Sequence, residues 1–357
     1  MSSGDLISFA RGAPSADLLP VEAVREAATA ALAEDWQAAL SYGVGYGHQG
    51  LREWIAERHG HLSPAQVMIT NGSLEAGAML FRHLLEPGDR VVVEEPSYDR
   101  TLLLLGQLGV ELVPIKLQDD GIDVEALEQA LAAGPVKLVH LIPNYHNPAG
   151  CTLSALKREQ LVALAAEHGF TIFEDDPYRE LPFGERPPPT MLSLDSADRV
   201  IHASSFSKTV SPGVRMGYLA GPEAEIAAMI AVATQNYISP NMLAGAVVNQ
   251  LARSGALDRN IEHAREELAA RRDCLVSALR RDLPEARFVV PEGGYFLWME
   301  LAAGTDARAL AAAAKEEGAA LIAGPDFMTD GGESCARFSF ASAVSYTHLT
   351  LPTILRV

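Results

Sequence analysis

The sequence predicts an α/β protein: three αβα layers on an open, mixed, mostly parallel sheet, joined to a smaller α+β unit. Three observations predict it. Short β-rich runs recur with helically spaced apolar segments between them. Polar residues gather just after those runs. The pattern then changes after Ala220.

The runs are Val67–Thr70, Arg90–Glu94, Val110–Leu117, Val136–Ile142, Phe170–Asp175, Val200–Ser204 and Arg215–Ala220. Leu156, Leu161, Leu164 and Ala165 show the helical spacing between two of them. Strands alternating with helices mean a mainly parallel sheet covered on both faces. A (β/α)8 barrel gives the same alternation. The last two runs argue against it, because the link Ser205–Val214 is short for a parallel crossover. Antiparallel neighbours in an open sheet fit better.

After Ala220 two long helical stretches are expected, Glu223 to about Ser254 and Asp258 to about Arg281, the second ended by Leu283-Pro284. A small α+β unit follows: Ala286–Val290, Tyr295–Leu301, a helix Asp306–Glu317, Ala319–Ala323 and Ala336–Phe340. The reading divides the chain into a segment 1–40 serving the small unit and the site, a large domain 41–260, a small domain 261–343, and a tail 344–357.

With 357 residues, 46 acidic against 28 basic, the net charge is −18, which disfavours a general nucleic-acid binder. Cys151, Cys274 and Cys335 are far apart, so neither a disulfide framework nor a cysteine zinc site is expected. His48, His59, His61 and His83 show no metal-ligand pattern, and no metal is expected. No run approaches the ~18–20 uncharged residues of a membrane span, and no signal peptide shows in Met1–Gly12. The expectation is a soluble, cytoplasmic protein.

In open α/β sheets the C-terminal strand ends line the ligand crevice. Thr70-Asn71-Gly72-Ser73, Glu95-Pro96-Ser97-Tyr98, Asn144 to Gly150, Asp175-Asp176-Pro177-Tyr178 and Ser205-Phe206-Ser207-Lys208 all sit there. Each alone is weak: Gly72-Ser73 could be a strand-to-helix cap, and Asn147-Pro148 an ordinary turn. Five sets on one rim form a site.

Ser205-x-x-Lys208-x-x-x-Pro212-Gly213-x-Arg215-x-Gly217 resembles the lysine signature of class I/II aminotransferases, the fold-type-I enzymes that use pyridoxal 5′-phosphate (PLP). His146 to Gly150, Asp175-x-x-Tyr178, the Tyr42 to Glu53 segment and Arg337-x-Ser339-Phe340 match further family motifs in order. The resemblance runs from about Ser8 to Ala343 and points to the α-aminoadipate, aromatic and branched-chain subgroup. It implies an exchange of amino groups between an L-amino acid and a 2-oxo acid, with 2-oxoglutarate as expected acceptor, by a ping-pong aldimine/ketimine route.

The resemblance also implies roles. Lys208 would hold PLP as a Schiff base and carry the proton. Asp175 would keep the pyridine nitrogen protonated; its other reading is a helix or turn cap. Tyr178 and Asn147 would bond the phenolic oxygen, and Tyr98 would stack on the ring unless it is a core or interface tyrosine. Gly72, Ser73 and Leu74 at a helix start, with Ser205 and Arg215, would hold the phosphate. Tyr42 would reach the cofactor of a neighbouring subunit, implying a homodimer with shared sites. Arg337 would grip the substrate carboxylate unless it forms an interdomain salt bridge, with a backbone group of Gly12 nearby. Arg11 either helps choose an acidic side chain or is solvated, and Asp176 is expected to point away.

Two departures from the family stand out. The reading expects the N-terminal arm that usually precedes the Ile7-Ser8-Phe9 match to be missing. Residues 344–357, VSYTHLTLPTILRV, replace a charged amphipathic helix and resemble translated sequencing-adapter DNA, the alternative being a genuine short apolar tail. Two other functions stay in view: a PLP-binding effector domain of a GntR-type regulator, and a PLP lyase or decarboxylase on the same scaffold.

Overall fold

The structure, a computed structural model, describes residues 6–342. The expectation for the tail 344–357 lies outside the described residues. In chain order the strands are β1 (Ile7–Ser8), β2 (Val67–Thr70), β3 (Arg90–Glu95), β4 (Glu111–Gln118), β5 (Gly121–Ile122), β6 (Leu138–Leu141), β7 (Thr171–Asp175), β8 (Val200–Ser205) and β9 (Gly217–Ala220). Four more follow: β10 (Phe296–Glu300), β11 (Ala319–Ala320), β12 (Ile322–Ala323) and β13 (Cys335–Ser339).

Among the described residues the main sheet runs β2-β9-β8-β7-β6-β3-β4-β5. The β3–β4, β3–β6, β6–β7 and β7–β8 pairs are parallel, while β8–β9 and β2–β9 are antiparallel. The short Ser205–Val214 link indeed joins antiparallel neighbours, so the sheet is mixed and open.

Because side chains alternate across a strand, Val92, Val139, Leu141, Ile172 and Val200 fill one core. Val91, Val93, Leu138, Phe173, Ile201 and Ala203 fill the core on the other face. Helices cover both, which gives the three layers. The helix Ala256–Asp282 leaves this body: Leu257 and Ile261 pack in the main core, whereas Ala264, Leu268, Leu275 and Leu279 pack with Phe9, Phe296 and Phe338.

Three expectations need correction. The stretch from Glu223 to Ser254 is two helices, Glu223–Tyr237 and Met242–Arg253. Between them Pro240 offers no N–H, and the Asn241 side chain accepts from the Ala244 N–H to start the second. Ala286–Val290 is not a strand; Arg287 exchanges backbone bonds with Glu300 as an isolated bridge. The run Ala319–Ala323 splits in two. Ala319–Ala320 pairs in parallel with Ile7–Ser8, and Ile322–Ala323 pairs with β13. The two-residue strands β1 and β5 were too short to read in advance.

Candidate functional site

The C-terminal ends of β2, β3, β6, β7 and β8 reach one edge of the sheet, and antiparallel β9 begins there at Gly217. A cavity of about 250 Å³ opens at this edge. Its wall includes Gly12, Ser73, Leu74, Tyr98, Asn147, Asp175, Tyr178, Ser205, Lys208 and Arg215, from all five rim segments and the N-terminal segment.

Lys208 follows β8, and its Nζ donates to the Gly12 carbonyl at 2.6 Å. The ring centroids of Tyr295 and Tyr178 lie 5.5 Å and 5.6 Å from that nitrogen. The Tyr295 hydroxyl donates to the Lys208 carbonyl at 2.9 Å, which pins the backbone. Burial, then the nearby positive charge of Arg337, brings the Lys208 amine down to about 8. An appreciable fraction is therefore the neutral nucleophile near neutral pH. Gly12 presents its carbonyl to Lys208, and a side chain there would fall 2.7 Å from the Phe296 ring.

Asp175 is the last residue of β7. Its Oδ1 is buried without any hydrogen-bond partner, so it caps nothing. Burial and the neighbouring Asp176 push the Asp175 carboxyl up to about 7. Asp176 points away, as expected, and accepts from Asn144 at 2.7 Å. Tyr178, three residues on, is buried among Tyr295 and Phe296, and burial pushes its phenol well up. Tyr98 is half-buried on the cavity wall, and burial raises its phenol too.

An anion cradle lies at one end. The helix Ser73–Leu84 begins there with Gly72 as its N-cap at φ 106°. A Cβ on Gly72 would meet Arg215 Nη2 at 2.6 Å, and one on Gly217 would meet the Ser204 carbonyl at 2.7 Å and the Ser73 nitrogen at 2.9 Å. Only hydrogen fits at either place. Arg215 donates to the Asn71 carbonyl at 3.1 Å and to Ser207 Oγ at 3.4 Å. Ser205 Oγ donates to the Met216 carbonyl at 3.3 Å and accepts from the Ser207 N–H at 3.1 Å.

Arg337 sits one layer behind the cavity. Its Nη1 donates to Asn147 Oδ1 at 2.9 Å and its Nη2 to the Ala10 carbonyl at 2.6 Å. Nε has no partner, and the guanidinium lies 4.5 Å and 4.6 Å from the Phe296 and Phe327 centroids. Among the described residues no carboxylate pairs with it, so it is not an interdomain salt bridge. Burial lowers it to about 10. The loop carrying Asn147 is fixed by His146. Its Nδ1 accepts from the Ala149 N–H at 3.1 Å, so Nε2 carries the proton toward Glu94 Oε2, 3.1 Å away.

Tyr42 does not line its own chain's cavity; it is 88% exposed. Arg11 is exposed, outside the cavity wall. Ser207 and Ile142 line the cavity without having been singled out. The signal for Ser207 lay in Ser205-Phe206-Ser207-Lys208, where a second hydroxyl precedes the lysine by one residue.

The family model for aminotransferase class I and II matches residues 4–349. This chain belongs to that family. It is 35% identical over 343 residues to the 2-aminoadipate transaminase of Thermus thermophilus, covering 94% of this chain and 86% of that protein. It is 33% identical over 339 residues to aromatic-amino-acid aminotransferase 1 of Thermococcus litoralis, covering 92% and 81%. The α-aminoadipate aminotransferase of Thermus thermophilus, solved with N-(5′-phosphopyridoxyl)-L-leucine, superimposes with a TM-score of 0.93 at 31% identity over 98% of this chain and 92% of that one. The chain is a PLP-dependent aminotransferase of fold type I.

The side chains fit that cofactor on observations of this structure. An amine with a lowered pKa faces the cavity, a buried carboxylate oxygen lacks a partner, and a helix start with two hydrogen-only glycines and an arginine makes room for an anion. Among the described residues no helix is long and apolar enough to cross a membrane.

Proposed function

We propose that this enzyme moves the amino group of an L-amino acid to a 2-oxo acid, 2-oxoglutarate being the acceptor, in two half-reactions at one site. The observation that carries this reading is Arg337: a buried guanidinium without a carboxylate partner, bonded to Asn147, which shares a cavity with the Lys208 amine. A buried positive charge needs an anion. A substrate carboxylate would supply it, in both the amino acid and the oxo acid.

When bound, PLP supplies an electrophilic carbonyl and an electron sink that acidifies the α-C–H of the amino acid. Lys208 would anchor the cofactor through its amine and, once released, take the proton from the substrate α-carbon and return it. Asp175 would accept a hydrogen bond from the protonated ring nitrogen. Asn147 and Tyr178 would donate to the phenolic oxygen, and Tyr98 would stack on the ring. The N–H groups of Ser73 and Leu74, the Ser205 hydroxyl and Arg215 would hold the phosphate beside Gly72. Gly12 would present backbone close to the substrate carboxylate.

Homodimerisation with shared sites is part of the proposal. Trp36, Leu40, Tyr42 and Val44 form an exposed apolar run, a surface suited to a second copy. Tyr42 would then serve the partner's phosphate. A division near residue 260 is also proposed, supported by the change of core along the helix Ala256–Asp282.

The relatives' names suggest 2-aminoadipate and aromatic amino acids as donors to try first. The test is a panel of L-amino acids with 2-oxoglutarate, following glutamate formation. Glutamate formation dependent on PLP supports the reading. Amino-acid consumption that needs no oxo acid, with release of CO2 or ammonia, would instead identify a decarboxylase or lyase.

A further inference from the structure

His140 stands out among buried side chains that have no part in the site so far. It lies mid-strand in β6, fully buried, with Phe81 and Phe173 rings 6.3 Å and 5.7 Å away. Neither ring nitrogen has a hydrogen-bond partner. A neutral imidazole carries one donor and one acceptor, and burying both unpaired is costly. An aliphatic side chain would fill the same place without that penalty, so packing does not account for the residue.

Register places it. His140 stands opposite Phe173 on β7, so Asp175, two residues further along, shares its face of the sheet. His140 Nε2 is 3.9 Å from Asp175 Oδ2. That is too long for a hydrogen bond, and a shift of about 1 Å closes it. Burial, then His146, brings the imidazole down to about 3, so it is neutral and the pair is not an ion pair. The other charged or titratable groups acting on Asp175 are Asp176, His202, Lys208 and Glu94. Of these, Asp176 is turned to Asn144, His202 lies 3.1 Å from Glu174, and Glu94 bonds the Ile142 N–H.

We propose that His140 is a positioning residue for Asp175, its Nε2–H meeting Oδ2 so that the carboxylate stays ionised and oriented toward the ring nitrogen. This rests on the role given to Asp175 above. A hydrogen bond to the charged form of a carboxylate favours that form, and a fixed dipole does so without adding charge to the core.

The experiment uses the PLP-loaded enzyme with His140→Leu, His140→Phe and His140→Gln, and Asp175→Asn as reference. Melting temperature, kcat, KM and the pH titration of the bound cofactor's absorbance are measured. The expected result is an apolar variant that melts no lower than the wild type, with kcat down roughly tenfold to a hundredfold, KM unchanged and a displaced titration. His140→Gln, which keeps an N–H donor, should recover most of the rate. Unchanged kcat and titration in His140→Leu would overturn the proposal, as would equal losses in Leu and Gln. Loss of folding in both apolar variants would assign His140 to packing and overturn it too. Full activity in Asp175→Asn would instead bring down the role of Asp175 itself, and the proposal with it.

Discussion

Removing the charge of Asp175 should stabilise the cofactor-free protein while disabling the enzyme. The carboxyl sits at about 7 in the folded chain against an ordinary 3.8, because it is buried beside Asp176 with Oδ1 unpaired. A folded-state pKa above the unfolded value means stability that is complete below pH ~3.8 and lost as pH rises to about 7, where both states are ionised and the loss levels off. Converted at 1.36 kcal/mol per pH unit, the loss is roughly 4 kcal/mol at most. Lys208 opposes it, since the amine gives up a favourable neighbour when Asp175 becomes neutral. A net gain of about 1–3 kcal/mol for Asp175→Asn above pH 7 is expected, shrinking toward zero near pH 4.

The assay is urea unfolding of PLP-free wild type and Asp175→Asn at closely spaced pH values from 5 to 8.5. The difference should widen with pH and then stop growing near 7. Adding PLP should reverse the order, because a ligand stabilises by its affinity for the folded state, and in the proposed role Asp175 would give the ring nitrogen its charge partner. A difference that does not vary with pH, or a variant less stable than wild type at pH 8 without PLP, would refute the assignment of an uncompensated carboxylate.

Borohydride treatment of the PLP-loaded enzyme, followed by peptide mapping, should place the pyridoxyl label on Lys208; label on Lys116, Lys137, Lys157 or Lys315 would contradict the site. Arg337→Ala should leave the cofactor's spectrum intact and lower kcat/KM for the amino acid by ~10²-fold or more, as expected for losing a charged pair at a buried site; unchanged kinetics would mean another group holds the carboxylate. Tyr42→Ala and Lys208→Ala, each with little activity alone, should regain activity when mixed and allowed to exchange subunits, because one site in the hybrid has both residues; no recovery in verified hybrids would argue against shared sites.

Much of this site was legible because strands end where the chemistry sits. Lys208, Asp175, Asn147 and Tyr178 each follow a short β-rich run, and a parallel sheet brings such ends to one edge. Gly217 joined them because the Ser205–Val214 link was short enough to imply an antiparallel return. Contacts between distant segments were not legible. The bond from Arg337 to Asn147 spans 190 positions, and nothing local announces that Arg337 stands behind Asn147 rather than on the cavity wall. His140 was hidden inside an apolar run, where periodicity sees a strand and passes over one polar ring. Ala286–Val290 has strand-forming residues, yet Pro284 and Pro291 bracket it and pairing stops at a single bridge.

Buried charge is treated in two ways in this molecule, and the contrast locates the site without reference to any motif. Arg158 is fully buried and donates to the Leu153, Pro143 and Pro189 carbonyls and to Asn144. Arg271 meets Ser15, the Ala341 carbonyl and Asp17. Glu174 accepts from the Met191 and Leu192 N–H groups, with His202 3.1 Å away. Arg158, Arg271 and Glu174 are satisfied within the chain. At the cavity the pattern inverts. Asp175 Oδ1, the neighbouring Asp176 Oδ1 and Arg337 Nε are left without partners, and Lys208 holds only a carbonyl. An unpaired buried polar group costs about 1–3 kcal/mol, and the unpaired charged groups among the described residues gather at the end of β7 and beside Asn147, where a ligand can meet them. Asp175, Arg337 and Lys208 offer a carboxylate, a guanidinium and an amine, which match a ring nitrogen, a substrate carboxylate and a carbonyl carbon in turn.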